Sequence, residues 1–126
     1  MKELTRAEEQ VMQILWEEGH AFVKALLPHF PEPKPAYNTV STIVRILEKK
    51  GYVGHEEFGK SHRYFPLINK EQYRNERFSD LMKGYFNNSM KQVLSHFSDN
   101  RDMDIKEADE LIKILQEIKE NSDRNE

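Results

Sequence analysis

Between positions 38 and 49 the chain carries one set of side chains whose types and spacing point to a particular chemistry. Asn38, Thr39, Ser41, Thr42, Arg45 and Lys49 fall on one stripe at helical spacing. Val40, Ile43, Val44 and Leu47 form the opposite stripe, with Ile46 at its edge. An ordinary solvated helix face is rich in Glu and Lys, which favour helices. Here short hydroxyl and amide groups, poor helix formers, are followed by cations, and the only acid is Glu48. Such groups suit close approach to base edges and phosphates. Gly51 is followed by a hairpin-like segment, Tyr52 to Pro66, with Lys60, His62 and Arg63 around its Gly59-Lys60 tip. A small polar helix face followed by a basic hairpin reads as a recognition helix and a wing.

Other chemistries find less support. The five histidines (20, 29, 55, 62 and 96) are scattered. His55 and His62 could meet across the hairpin with Glu56 and Glu57 close by, but a metal centre needs three or four converging ligands. Solvated or phosphate-facing histidines are the expectation, with no metal ion and no cofactor. The sequence has no Gly-rich phosphate loop, no HExxH and no nucleophile elbow, so an enzyme is not expected. With no cysteine, disulfides and thiolate metal sites are excluded.

The elements that must position this face are legible on either side of it. Thr5-Arg6-Ala7-Glu8 fits a capping box, opening a helix with Val11, Met12, Ile14, Leu15 and Trp16 that should stop near Gly19. A second, shorter helix is expected from about Ala21, with Phe22, Val23, Leu26 and Leu27 inward. Pro28, Pro31, Pro33 and Pro35 then make a stiff connector. The third helix spans about Ala36 to Lys50. Two short strands, Tyr52 to Glu56 and His62 to Phe65, follow, joined by residues 57–61.

Asn69-Lys70-Glu71-Gln72 opens the helical C-terminal half with another capping pattern. Tyr73, Phe78, Leu81, Tyr85 and Phe86 then keep helical spacing, and Val93, Leu94 and Phe97 continue in a further helix. The last helix carries Leu111, Ile112, Leu115 and Ile118. Three short helices cannot bury all of this among themselves, which marks these residues as a partner surface. The simplest partner is a second copy in a two-fold arrangement. The expected fold is therefore mainly α with a small β-hairpin wing: a winged helix-turn-helix over 1–68 and a helical dimerisation region over 69–126.

Composition bounds this reading. The 126 residues are 37% hydrophobic and 33% charged, with a net charge of −3. That net value speaks against nucleic acid until its distribution is considered. Residues 34–67 hold six Lys/Arg against three acids, whereas residues 99–126 hold ten acids against five bases. A phosphate feels the local field, which decays over about 8 Å at physiological salt. A single copy should nonetheless bind weakly. No run approaches the roughly 20 apolar residues of a membrane span, so no membrane insertion is expected and the cytoplasm is the expected compartment.

The alternative is a winged helix that binds only protein. Large apolar anchors would be expected on its third helix in that case, and Asn38, Thr39, Ser41, Thr42 and Arg45 stand there instead.

The patterns LTxAExxVMxxLW (Leu4 to Trp16), NTVSTIVRILEKKG (Asn38 to Gly51) and VxxxxxGKxxxYxP (Val53 to Pro66) resemble the penicillinase-repressor, or BlaI/MecI/CopY, family. The resemblance covers nearly the whole chain. It implies a winged-helix transcriptional repressor that dimerises through its C-terminal helices and binds a double-stranded dyad operator. It places Thr39 and Thr42 in the major groove and Lys60 at the family's basic wing position. Three departures stand out. The copper-responsive branch has a C-terminal cysteine motif, and this chain has no cysteine. The β-lactam branch is cleaved by a sensor protease at an Asn-Phe bond, and the matching position reads Ser95-His96-Phe97. Regulatory cleavage by such a partner would therefore fall at His96 and Phe97, with His in place of Asn. The family's Arg near the end of the third helix is replaced by Ile46, with Arg45 one position earlier.

Overall fold

Thr5 opens the first helix, α1 (Arg6–Glu18), by a reciprocal capping box. Its Oγ1 accepts from the Glu8 amide at 3.2 Å, and the Glu8 carboxylate accepts from the Thr5 amide at 3.0 Å. The helix ends at Gly19, whose φ of +83° is accessible to glycine without a Cβ penalty. The computed structural model describes residues 3–99 and 104–124, which fall into two units divided between Arg77 and Phe78.

The segment after Gly19 departs from expectation. Ala21–Phe22 is a short strand, β1, and the helix that follows, α2 (Val23–Leu26), has a single turn. A 3-10 turn over Leu27–His29 completes it with Pro28 inside the turn rather than in the connector, and the chain leaves at Phe30 before Pro31, Pro33 and Pro35. Alternation along β1 buries Ala21 and turns Phe22 outward, where it meets the Phe58 ring edge-on at 5.8 Å. The inward placement of Phe22, which a helix would have given, is thereby corrected.

The third helix, α3 (Tyr37–Lys49), runs between Ala36 and Lys50 as caps. Then come β2 (Val53–Phe58) and β3 (Ser61–Pro66), antiparallel and longer than the sequence suggested, with only Gly59-Lys60 between them. Gly59 has a positive φ of 62°, which a two-residue hairpin turn requires. Pairing of β1 with β3 gives a three-stranded sheet in the order β1-β3-β2. Three helices with a three-stranded antiparallel sheet make the winged helix-turn-helix.

The core of this unit is built from Val11, Met12 and Leu15 of α1, Leu26 of α2, Val40, Val44 and Leu47 of α3, and Tyr52, Val53 and Tyr64 of the sheet region. The apolar stripe of α3 is thus fixed against α1, which forces its polar stripe outward. Lys50, at the end of α3, reaches Glu8 of α1 at 2.7 and 2.8 Å. Burial pushes the Glu8 carboxyl up, but the Lys50 ammonium and the Thr5 hydrogen bonds outweigh it and hold the group below the usual carboxylate value.

α4 (Lys70–Tyr85) is capped reciprocally by Asn69 and Gln72 at 2.8 and 2.9 Å. Its opening turns belong to the first unit. Trp16 donates from Nε1 to the Ile68 carbonyl at 2.8 Å and lies 5.5 Å from the Tyr73 ring. Tyr73 also packs edge-on to Tyr52, and its hydroxyl donates to Glu9 at 2.6 Å. Tyr73, expected at the partner surface from its helical spacing, is a buried core residue because α4 docks this face on α1. Burial and the Glu9 carboxylate push its phenol far above the ordinary range.

In the second unit, Asn87 and Asn88 take positive φ between α4 and α5 (Met90–Asp99), a conformation Asn tolerates better than most residues. Asp104 caps α6 (Ile105–Arg124) by accepting from the Glu107 amide at 2.8 Å. Met82 is the one buried side chain among the described residues of this unit. Phe78, Leu81, Tyr85 and Phe97 are exposed, as are Ile112, Leu115 and Ile118, while Phe86, Val93, Leu94 and Leu111 are half-buried. Among the described residues no helix is long and apolar enough to cross a membrane.

Candidate nucleic-acid interface

The outward stripe of α3 is the face anticipated: Asn38, Thr39, Thr42, Arg45 and Lys49 are exposed and Ser41 is half-buried. Its internal bonds narrow what it can offer. Thr42 Oγ1 donates to the Asn38 carbonyl at 2.9 Å. The hydroxyl proton is therefore held by the helix, which leaves the exposed Thr42 side chain an acceptor oxygen and a methyl group to offer. That combination can accept from an adenine or cytosine amino group, or touch a thymine methyl. Arg45 lies along the same face, its Nε donating to the Ser41 carbonyl at 3.3 Å and Nη2 approaching Thr42 Oγ1 at 3.5 Å. Lys49 sits roughly 16 Å beyond Asn38 along the axis, at about 1.5 Å per residue.

The start of α3 was not singled out from its sequence. Its N-cap is Ala36, with no side-chain cap, and its first turn has no acid. α1, α4 and α6 each carry Glu in the first turn. An uncapped end gives up about 1 kcal/mol and leaves amide donors and the positive dipole end open, which suits an anion such as a phosphate. The signal was present, as an Ala where a capping residue would normally stand.

Between α3, the β1–α2 segment and the hairpin runs a groove of about 1030 Å³. It brings Ser41 and Arg45 of α3 together with Lys60 and His62 of the wing, joined by Lys24, Tyr37 and Phe58, which the sequence reading did not select. Lys49 and Arg63 do not line it. Lys60 is exposed at the hairpin tip. Arg63 is braced on the hairpin itself, with Nη2 3.4 Å from Glu56 and Cζ 4.6 Å over the Phe58 ring, so part of its charge is already answered.

Glu48, the acid on α3, is bonded to His55 Nδ1 on β2. His55 stacks on His62 with ring centroids 4.2 Å apart and planes 7° from parallel. Burial and the Glu48 carboxylate push the neighbouring Tyr64 phenol up. The one acid of α3 is thus tied to β2, and the hairpin is fastened to α3.

The family model described as Penicillinase repressor matches residues 4–117. Over 118 residues, 93% of this chain and 92% of the relative, the sequence is 23% identical to the penicillinase repressor of Bacillus licheniformis. Over 114 residues it is 22% identical to the methicillin resistance regulatory protein MecI of Staphylococcus aureus strain N315, covering 90% of this chain and 93% of that one. Among solved structures, the DNA binding domain of the repressor BlaI aligns with 58% of this chain and 94% of that domain, at 25% identity and a TM-score of 0.49.

Proposed function

The chain belongs to the penicillinase repressor family, and on that premise we propose that it is a transcriptional repressor that binds a dyad DNA operator as a homodimer. The observation that carries this reading is the exposed face of α3, where hydroxyls, an amide and cations are presented beside an uncapped helix start and a basic wing. Each reading head is weakly charged, because Arg63 answers Glu56 and Lys50 answers Glu8. Two heads joined at a fixed separation multiply their affinities, which one head alone does not reach. The functional division lies near the one expected from the sequence (1–68 and 69–126), shifted so that the first turns of α4, docked through Tyr73, go with the reading unit and the chain from Phe78 onward joins two copies. The exposed apolar side chains of α4 to α6 supply the material for that join.

In the bound state two α3 helices enter successive major grooves about 34–36 Å apart. Asn38, Thr39, Ser41 and Thr42 face base edges. Arg45, Lys49, Lys60 and Arg63 face phosphates, with His62 alongside. Any cleavage by a sensor protease would act at His96-Phe97, both exposed on α5.

Selection of bound duplexes from random DNA tests the reading. An inverted repeat should emerge. The absence of any enriched sequence would instead support a module that binds only protein.

Two further results are expected with the selected duplex. Thr42→Ala relaxes preference at one position of each half-site by about 1–3 kcal/mol, whereas Lys60→Ala weakens binding to all duplexes alike. Equal, uniform losses from both variants would mean that α3 is not the reader. Four cations per chain, doubled in a dimer, set the limit on salt dependence. The slope of log affinity against log salt should be no steeper than about −7, from roughly −0.9 per phosphate, and clearly different from zero.

A further inference from the structure

We infer that the wing holds a divalent transition-metal ion of the zinc class, with His55, Glu57 and His62 as its protein ligands. The hairpin register places them together. His55 and Glu57 are two residues apart on β2 and so share one face of the sheet. His62 on β3 is directly opposite Glu57 and joins that face. One ligand atom from each lies within 4.8 Å of the other two, and His62 Nε2 is 4.0 Å from Glu57 Oε1. The sequence expectation of no metal rested on two histidines lacking a third converging ligand, and the extension of β2 to Phe58 supplies it in Glu57.

Around a tetrahedral zinc ion, ligand atoms bonded at about 2.0–2.1 Å are roughly 3.3 Å apart. The His62 ring must turn out of its parallel stack on His55, since one ion cannot lie in two parallel ring planes at once. His62 and Glu57 are both exposed, so side-chain rotations can open the stack and close the remaining gap while the strands stay paired. His55 is the least mobile of the three. Its Nδ1 is bonded to Glu48 of α3, and a proton held there leaves the Nε2 lone pair for a metal. A carboxylate behind a ligating imidazole is the usual outer shell of zinc sites, fixing both tautomer and ring orientation. Two imidazoles and one carboxylate leave a fourth position for water. The donor set of nitrogen and oxygen suits Zn2+ rather than Ca2+ or Mg2+.

The site also has a consequence for DNA, which rests on the repressor reading above. The ion would neutralise Glu57 beside Lys60 and add positive charge to the wing, raising affinity for any duplex severalfold.

Titration calorimetry of the full chain with ZnCl2, after chelator treatment and without DNA, tests the site independently of that reading. One tight site per chain is expected. His62→Ala and Glu57→Gln should each weaken it at least about 100-fold, and Glu48→Gln, which acts through His55, by about 10- to 100-fold. His29→Ala should leave it unchanged, and circular dichroism melts should show every variant folded. Absence of a tight site, or equal uptake by wild type and His62→Ala, would overturn the assignment. Zinc uptake without a change in duplex affinity would overturn only the coupling to DNA.

Discussion

Leu115→Asp is expected to separate the two copies and to reduce affinity for a two-half-site duplex at least about 100-fold, while the winged unit stays folded. Leu115 is 51% exposed in the single chain, so the substitution leaves the protomer's own packing largely intact. In a two-fold interface each substitution occurs twice. Burying a polar or charged group without a partner costs upwards of about 2 kcal/mol. Two such groups therefore weaken association roughly 1,000-fold, since about 1.4 kcal/mol is a factor of ten. Light scattering and a gel-shift titration measure both effects. A variant that stays dimeric at micromolar concentration would show that α6 is not the contact. One that becomes monomeric yet keeps full operator affinity would show that pairing is not needed for binding.

Lys50→Met is expected to destabilise the winged unit by about 3–5 kcal/mol, because it leaves the Glu8 carboxylate buried without its cation. Domains of this size have roughly 5–15 kcal/mol in total, and each kcal/mol moves the melting temperature by about 4–8 °C. The melt should fall by roughly 15 °C or more. Glu8→Gln in the same chain should restore much of that loss, since the uncompensated charge is then gone. The pH dependence carries a sign. The Glu8 carboxyl is held below its ordinary value of 4.5 in the folded wild type. Its contribution is therefore complete above about pH 4.5 and is lost as pH falls through the lowered value. The gap between wild type and Lys50→Met should be widest at neutral pH and should shrink below pH 4.5. Thermal melts at pH 7 and in the acid range measure it, and a gap independent of pH would contradict the pairing.

Lys50 also shows where the sequence was misleading. It counted toward the basic balance of residues 34–67, yet its ammonium is directed inward to Glu8, 42 positions away. Lys34 similarly donates to the Pro28 carbonyl at 3.1 Å. Local signals, by contrast, carried well. The capping boxes at Thr5 and Asn69, the stop at Gly19 and both stripes of α3 depend on neighbours within one or two turns. What escaped depends on long-range pairing. Phe22 reads as an inward helical residue until β1 pairs with β3, and Tyr73 reads as a partner contact until α4 docks on Trp16. The meeting of His55 and His62 across the hairpin with Glu57 close by is legible in the sequence, but their stack and the choice of Glu57 over Glu56 follow from a register set by a two-residue turn. No periodicity in the sequence fixes that register to the residue.

The most direct measurement is sedimentation of the full chain at micromolar concentration, alone and with a duplex bearing the selected sequence. Two chains in the free particle and two on each duplex are the result expected. A lone chain in both samples, or a free dimer that leaves every duplex unbound in dilute salt, would contradict the account of two weak reading heads coupled by their C-terminal helices.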